Sequence, residues 1–242
     1  MKQITSVIFG SFLIFLFLSC ISTDPAKKYP NMVADVDPFS IGTAEAQFDR
    51  FFSSKVNKVE IEAVFHPRLN AVSLEFKFEL MKNRQFWDEA ARKQFAASLE
   101  LYKRDFEERK LLDNYRKTRD VYGKVKSRLE WELSKHTKTR VTNPTIEIGY
   151  RFKEKTPFFT TLMRSTKEIT SEEESSSAVT SQQISMYLTR AQADELAKLF
   201  DQAHLLELLA EKNTAVTDEY LEADSEAAPQ VPADNYREYD GR

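Results

Sequence analysis

Val72-Ser73-Leu74-Glu75-Phe76-Lys77-Phe78-Glu79-Leu80 places an apolar side chain at every second position and a polar one between. Successive side chains leave a β-strand on opposite sides, so period two marks a strand with one buried face and one in water. The same alternation recurs along the chain. Val59, Ile61, Ala63 and Phe65 stand against Lys58, Glu60 and Glu62. Val125, Leu129, Trp131 and Leu133 stand against Lys124, Lys126, Arg128, Glu130 and Glu132. Ile146, Ile148, Tyr150 and Phe152 stand against Glu147, Arg151 and Lys153. Strands of a parallel sheet are covered on both faces and read as unbroken apolar runs, so this pattern predicts an antiparallel sheet with a solvated face. Two less regular stretches, 158–165 and 183–188, bring the expected number of strands to about six.

The connections suit that order. His66-Pro67-Arg68-Leu69-Asn70 has the length of a hairpin loop, and Glu154-Lys155-Thr156-Pro157 that of a tight turn. The stretch 166–181, with three glutamates from Glu172 and three serines from Ser175, is polar enough to be expected mobile. Ahead of the sheet, Phe48, Phe51 and Phe52 are spaced for one side of a short helix beginning near Ala44.

Two longer helices are predicted. From about Arg84 to Leu112, Trp87, Ala91, Phe95, Leu99, Tyr102 and Phe106 recur every three or four residues as one stripe. The second opens on Thr189-Arg190-Ala191-Gln192, a capping-box pattern in which hydroxyl and amide each satisfy a free backbone N–H. Leu196, Leu199, Phe200, Ala203, Leu206 and Leu209 form its stripe, with Asn213 as the stop. Both stripes need an apolar partner and the sheet has one apolar face to cover. The expected fold is therefore α+β: two layers, with an antiparallel sheet of about six strands and helices on one face, over residues 44–212.

The amino terminus has a different character. After Met1-Lys2-Gln3 the chain runs uncharged from Ile4 to Leu18. As a helix these residues would span roughly 22 Å against a hydrocarbon core of about 30 Å, so the run suits an export signal over residues 1–19 better than a membrane span. Phe17-Leu18-Ser19-Cys20 resembles the lipobox of bacterial lipoproteins, and the resemblance covers only this leader. It implies that signal peptidase II cuts between Ser19 and Cys20 once the Cys20 sulfur carries a diacylglyceryl group. A thiolate is the most nucleophilic common side chain, which suits alkylation, and Cys20 is the only cysteine in the chain. One myristoyl-sized chain gives only reversible binding at about 0.8 kcal/mol per methylene, whereas two or three acyl chains such as palmitate hold a protein stably. Loss of residues 1–19 removes Lys2 and takes the formal net charge from −3 to −4.

Residues 20–43 follow as a lipidated tether, with Asp24-Pro25, Tyr29-Pro30 and Asp37-Pro38 and no apolar period. As a flexible coil it would reach roughly 25 Å, letting the body stand off the bilayer. Residues 213–242 hold eight acidic residues against Arg237 and Arg242, a balance of −6, and are expected to be an acidic disordered tail.

Composition excludes several functions. The 242 residues carry 35 Lys plus Arg against 38 Asp plus Glu, so no basic excess prepares the chain for nucleic acid. Five scattered glycines make neither a dinucleotide-binding turn nor a P-loop. One cysteine allows no internal disulfide and no all-cysteine metal site. His66, His136 and His204 stand in no metal-binding or catalytic motif, and no G-x-S-x-G presents a serine nucleophile. No cofactor, metal or catalytic residue is expected. Residues 101–140 hold 13 cationic residues against seven acidic ones, which suits either a solubilising face or a polyanionic partner. The expected function is non-catalytic binding or scaffolding at the bacterial cell envelope, with membrane lipid engaged through Cys20 and an envelope protein or a polyanion as partner. Two alternatives are an envelope hydrolase whose site assembles only in three dimensions and a carrier whose 18 phenylalanines line a cavity for an apolar ligand.

Overall fold

Every strand pair is antiparallel, as the alternation predicts. The computed structural model describes residues 28–49, 56–112, 119–133, 138–169 and 179–213. Its strands are β1 (Phe39–Asp49), β2 (Val56–His66), β3 (Ala71–Phe78), β4 (Met81–Asp88), β5 (Arg119–Lys126), β6 (Arg128–Glu132), β7 (Arg140–Thr142), β8 (Thr145–Lys153), β9 (Thr156–Met163) and β10 (Ile184–Leu188). They form one sheet in the order β5-β8-β9-β10-β1-β2-β3-β4-β6-β7. The sheet therefore has ten strands, not about six, and it curls into a half-barrel.

Three of the four extra strands have a physical reason, β7 being the fourth. In β1 the buried positions are Ala44, Ala46 and Phe48, and the two alanines give little apolar signal. Phe48 belongs to this strand and not to a short helix; Phe51 and Phe52 lie outside the described residues. In β4 two of the inward positions are Asn83 and Gln85, so the alternation is hidden and the segment reads as the start of the following helix. The expected strand around Val125–Leu133 is broken at Ser127, whose N–H donates to the Pro144 carbonyl at 3.0 Å and whose hydroxyl donates to the Phe86 carbonyl at 2.7 Å.

β5 and β8 pair at one end of the strand order and β6 and β7 at the other, with only Ser127 between β5 and β6 and residues 143–144 between β7 and β8. The two ends of the sheet are thus linked through these short connections. Gln85 on β4 and Met163 on β9, with four strands between them in the order, meet at 3.7 Å across the inside of the curl.

Helix α1 (Glu89–Glu107) starts where Asp88 caps it by accepting the Ala91 N–H at 2.8 Å, and the left-handed Arg109 lies just beyond its end. Helix α2 (Arg190–Phe200) carries the predicted capping box: Gln192 N–H donates to Thr189 Oγ1 at 3.3 Å and Thr189 N–H to Gln192 Oε1 at 3.0 Å. Asp201 interrupts the expected single helix and restarts it as α3 over 202–213, its carboxylate accepting the His204 N–H. α1 packs on β4, β5 and β8, and α2 on β1, β9 and β10. Each sits over a bulge made by a glycine. A side chain at Gly123 would collide with Gln94 of α1, and Gly42, at φ 140°, leaves room for Leu199 of α2.

The core fills the hollow of the curl with rings. Phe95 of α1 meets Trp87, Phe159 and Phe200 at centroid distances of 5.7, 5.2 and 5.1 Å, mostly edge to face, the favourable geometry for aromatic quadrupoles. Tyr102 packs on Phe159, donates to the Pro157 carbonyl at 3.0 Å, and its hydroxyl is pushed up to about 12 by burial. Rings occupy the space between sheet and helices that an apolar ligand would need.

Candidate functional site: a strap and a charged ladder

Residues 28–38, expected as part of a free tether, lie as a strap against the 67–70 turn that joins β2 to β3. The Val33 N–H donates to the Pro67 carbonyl at 3.0 Å. Arg68 on that turn donates from Nε to Asp35 at 2.5 Å and from Nη1 to Asp37 at 2.8 Å. Its guanidinium is held above its usual range by those two carboxylates. Between strap and turn lies a cleft of about 170 Å³ lined by Tyr29, Val36, Pro38, His66, Pro67 and Leu69 among others.

His66 leads from this cleft onto the outer face of the sheet. Its Nε2 and Ser73 Oγ share a hydrogen bond of 2.8 Å, and the Ser73 hydroxyl donates to Glu75 Oε1 at 3.3 Å. The ladder continues across strands: Arg84 donates to Glu75 at 2.7 Å and to Glu130 at 3.3 Å, and Arg128 grips Glu130 at 2.9 and 2.7 Å. Register dictates this, since Glu75 faces Arg84 and Arg84 faces Glu130. Phe86 lies under both the His66 ring and the Arg128 guanidinium. Burial pulls the His66 pKa below its usual 6.5, Arg84 pushes the same way, and Glu75 and Glu130 oppose them. A polar cleft of about 210 Å³ beside the ladder is lined by Glu75, Lys82, Arg84, Glu130, Glu132 and Thr139 among others.

The geometry bears on chemistry. A serine nucleophile must give its proton to histidine while an acid orients the far ring nitrogen. Here the acid, Glu75, contacts the serine hydroxyl and not the far ring nitrogen, and Ser73 has no exposed surface. The line is a rigid polar brace across β2, β3, β4 and β6. His204 lies on α3, away from it, and His136 lies outside the described residues. Cys20 and Ser19 also lie outside the described residues, as does the acidic tail beyond Asn213.

Among the described residues, the cations of 101–140 are scattered over several elements and a number of them are paired. Lys103 pairs with Glu100 and Asp194, Lys124 with Glu147, Arg128 with Glu130 and Arg140 with Glu168. Sequence reasoning missed one polar centre altogether. Arg92 is only 2% exposed, and it donates to the carbonyls of Asn70 (2.8 Å), Trp87 (3.1 Å) and Phe200 (3.2 Å) and to the side chains of Asn70 and Gln202. It ties α1 to the 67–70 turn and to the α2–α3 break without a carboxylate, and burial draws its pKa down. Its signal in the sequence was a cation next to Ala91, on the flank of an apolar stripe.

The folded span also has relatives. The chain belongs to a protein family described as "Uncharacterised Treponema protein", matched over residues 38–207. That span opens one residue before β1 and closes within α3, so it takes in the whole sheet. No curated protein and no solved structure matches the chain. Among the described residues, no helix is long and apolar enough to cross a membrane.

Proposed function

We propose that this protein is exported, anchored to the bacterial cell envelope by acyl chains on Cys20, and serves there as a non-catalytic binding or scaffolding module. The observation that carries the proposal is the junction Phe17-Leu18-Ser19-Cys20, where an uncharged run of signal length ends on the only cysteine of the chain. The half-barrel supports a binding role because its interior is filled with aromatic side chains and its outer face is a fixed, paired array of charges. Of the two kinds of partner considered, an envelope protein fits better than a polyanion. The cations of the outer ladder already hold carboxylates, and a polyanion would have to displace them.

The test is Cys20→Ala with metabolic labelling by a radioactive or clickable fatty acid. The wild-type protein takes up label and partitions into detergent with membranes, while the variant takes up none and accumulates as precursor or in the soluble fraction. Equal labelling of the two forms defeats the proposal.

A further inference from the structure

At the β5 end of the strand order the outer face is built differently from the ladder. Arg84 in the ladder faces a glutamate on either side, whereas Arg119 on β5 faces Arg151 on β8. Directly opposed side chains of an antiparallel pair stand about 5 Å apart, and like charges there repel. Among the described residues no ion pair reaches either guanidinium. Arg151 is nevertheless held in place. Its Nη1 donates to the Tyr187 hydroxyl at 3.2 Å, and that hydroxyl donates at 2.7 Å to Asp49, which Lys153 also pairs. Lys77 and Lys82 oppose each other too, but each is a hydrated point charge on a flexible stem, while the Arg151 fork is set by a tyrosine with no exposed surface.

A cleft lies beside the arginine pair, across β5, β8, β9 and β10. Register arranges its outer-face residues in rows. Val121 is opposite Gly149, Gly149 opposite Thr160 and Thr160 opposite Tyr187, and the next row runs from Glu147 through Leu162 to Ser185. Gly149 gives the floor no side chain, and Val121, 40% exposed, and Leu162 supply apolar walls. Ser185 is only 9% exposed, and neither its hydroxyl nor that of Thr160 has a hydrogen-bond partner among the described residues. The acids of the cleft are engaged: Glu147 pairs with Lys124 and Arg164, and Asp120 accepts the Val121 N–H.

We infer that this cleft binds a single carboxylate, offered by a glutamate or aspartate side chain of a protein partner. Guanidiniums give charge-assisted hydrogen bonds from a planar fork that matches a carboxylate, and the two hydroxyls are donors for its remaining lone pairs. The free volume, about 20 Å³, suits one small headgroup. A phosphate dianion would bring a second charge to desolvate and no apolar stem to lie against Val121 and Leu162. The inference deepens the binding role proposed above, on which it rests for the source of the carboxylate, and does not depend on Cys20.

Arginine modification by phenylglyoxal, read residue by residue from peptide masses, tests it on the full chain in detergent. The probe is propionate, a glutamate side chain cut at its α-carbon, with chloride at equal ionic strength as reference. Propionate at about 20 mM should slow modification of Arg119 and Arg151 by about three-fold, as for a Kd of about 10 mM, and leave the exposed Arg104 unchanged. In Arg119→Gln, a change at an exposed position, the protection of Arg151 should vanish, and in Arg151→Gln that of Arg119. Equal slowing at Arg104, no slowing at all, or protection that survives loss of the other arginine overturns the site. Inorganic phosphate protecting better than propionate overturns the choice of carboxylate. The chain's own acidic residues beyond Asn213 are the rival source. Changing all eight to their amides should leave the rate at Arg119 in chloride unchanged, and a rise of about three-fold overturns a separate partner. Failure of the anchoring reads differently, since loss of acyl label on Cys20 alters none of these rates.

Discussion

Trp87 and Arg84 lie three residues apart on β4 and face opposite ways. Trp87 has no exposed surface and stacks against Phe95 and Phe200 in the hollow of the sheet, whereas the Arg84 side chain remains 45% exposed between two glutamates on the outside. Burial of apolar area contributes in proportion to the area removed from water, while charge pairs at the surface are screened and contribute little. The inner face should therefore hold the fold and the outer face should tolerate change. The outer ladder is then available to recognise something, because stability does not depend on it.

Substitutions on the two faces test that division. Phe95→Ala removes the ring that joins α1 to Trp87, Phe159 and Phe200, and should cost about 4 kcal/mol in urea unfolding. A loss below about 1 kcal/mol would mean that the hollow repacks freely. Arg92→Met keeps the bulk but removes the hydrogen bonds that Arg92 gives to three carbonyls, and should cost about 3 kcal/mol. Arg84→Gln, on the outside, should cost about 1 kcal/mol at low ionic strength and less in added salt. A cost as large as that of Phe95→Ala would erase the contrast between the faces.

The smallest effect concerns pH. Unfolded, His66 binds its proton near 6.5; folded, it does so only at lower pH. Between those two values the unfolded chain holds more protons, so stability falls as pH drops through this window and is level above it with respect to this group. His66→Gln should remove that part of the slope below pH 6.5, measured by urea midpoints. An unchanged slope would assign the dependence to other groups.

Much of this was legible. β2, β3, β6 and β8 could be read because their inward residues are large and apolar and their outward ones charged, and the Thr189 cap could be read because its two side chains close on each other within one turn. β4 was hidden by Asn83 and Gln85, buried polar residues, of which Gln85 meets Met163 across the curl, a contact that no local period can reveal. β1 was hidden because two of its three buried positions are alanines, which carry little apolar area. The outer ladder was half visible: once Glu79 and Leu80 are recognised as the turn, the pairing of Glu75 with Arg84 follows by counting. The strap was not visible, since its bonds run to a turn some 30 residues away and carry no periodicity.

One feature of the path of the chain has a practical side. Lys212, close to where the described chain stops, sits over the Phe39 ring, and Phe39 is paired with Phe65 next to His66. Entry through Lys28 and exit past Asn213 therefore lie close together. A reporter protein appended after residue 213 would stand near Lys28, whereas a short epitope inserted between Glu79 and Leu80 would lie at the opposite end of the sheet from the 67–70 turn.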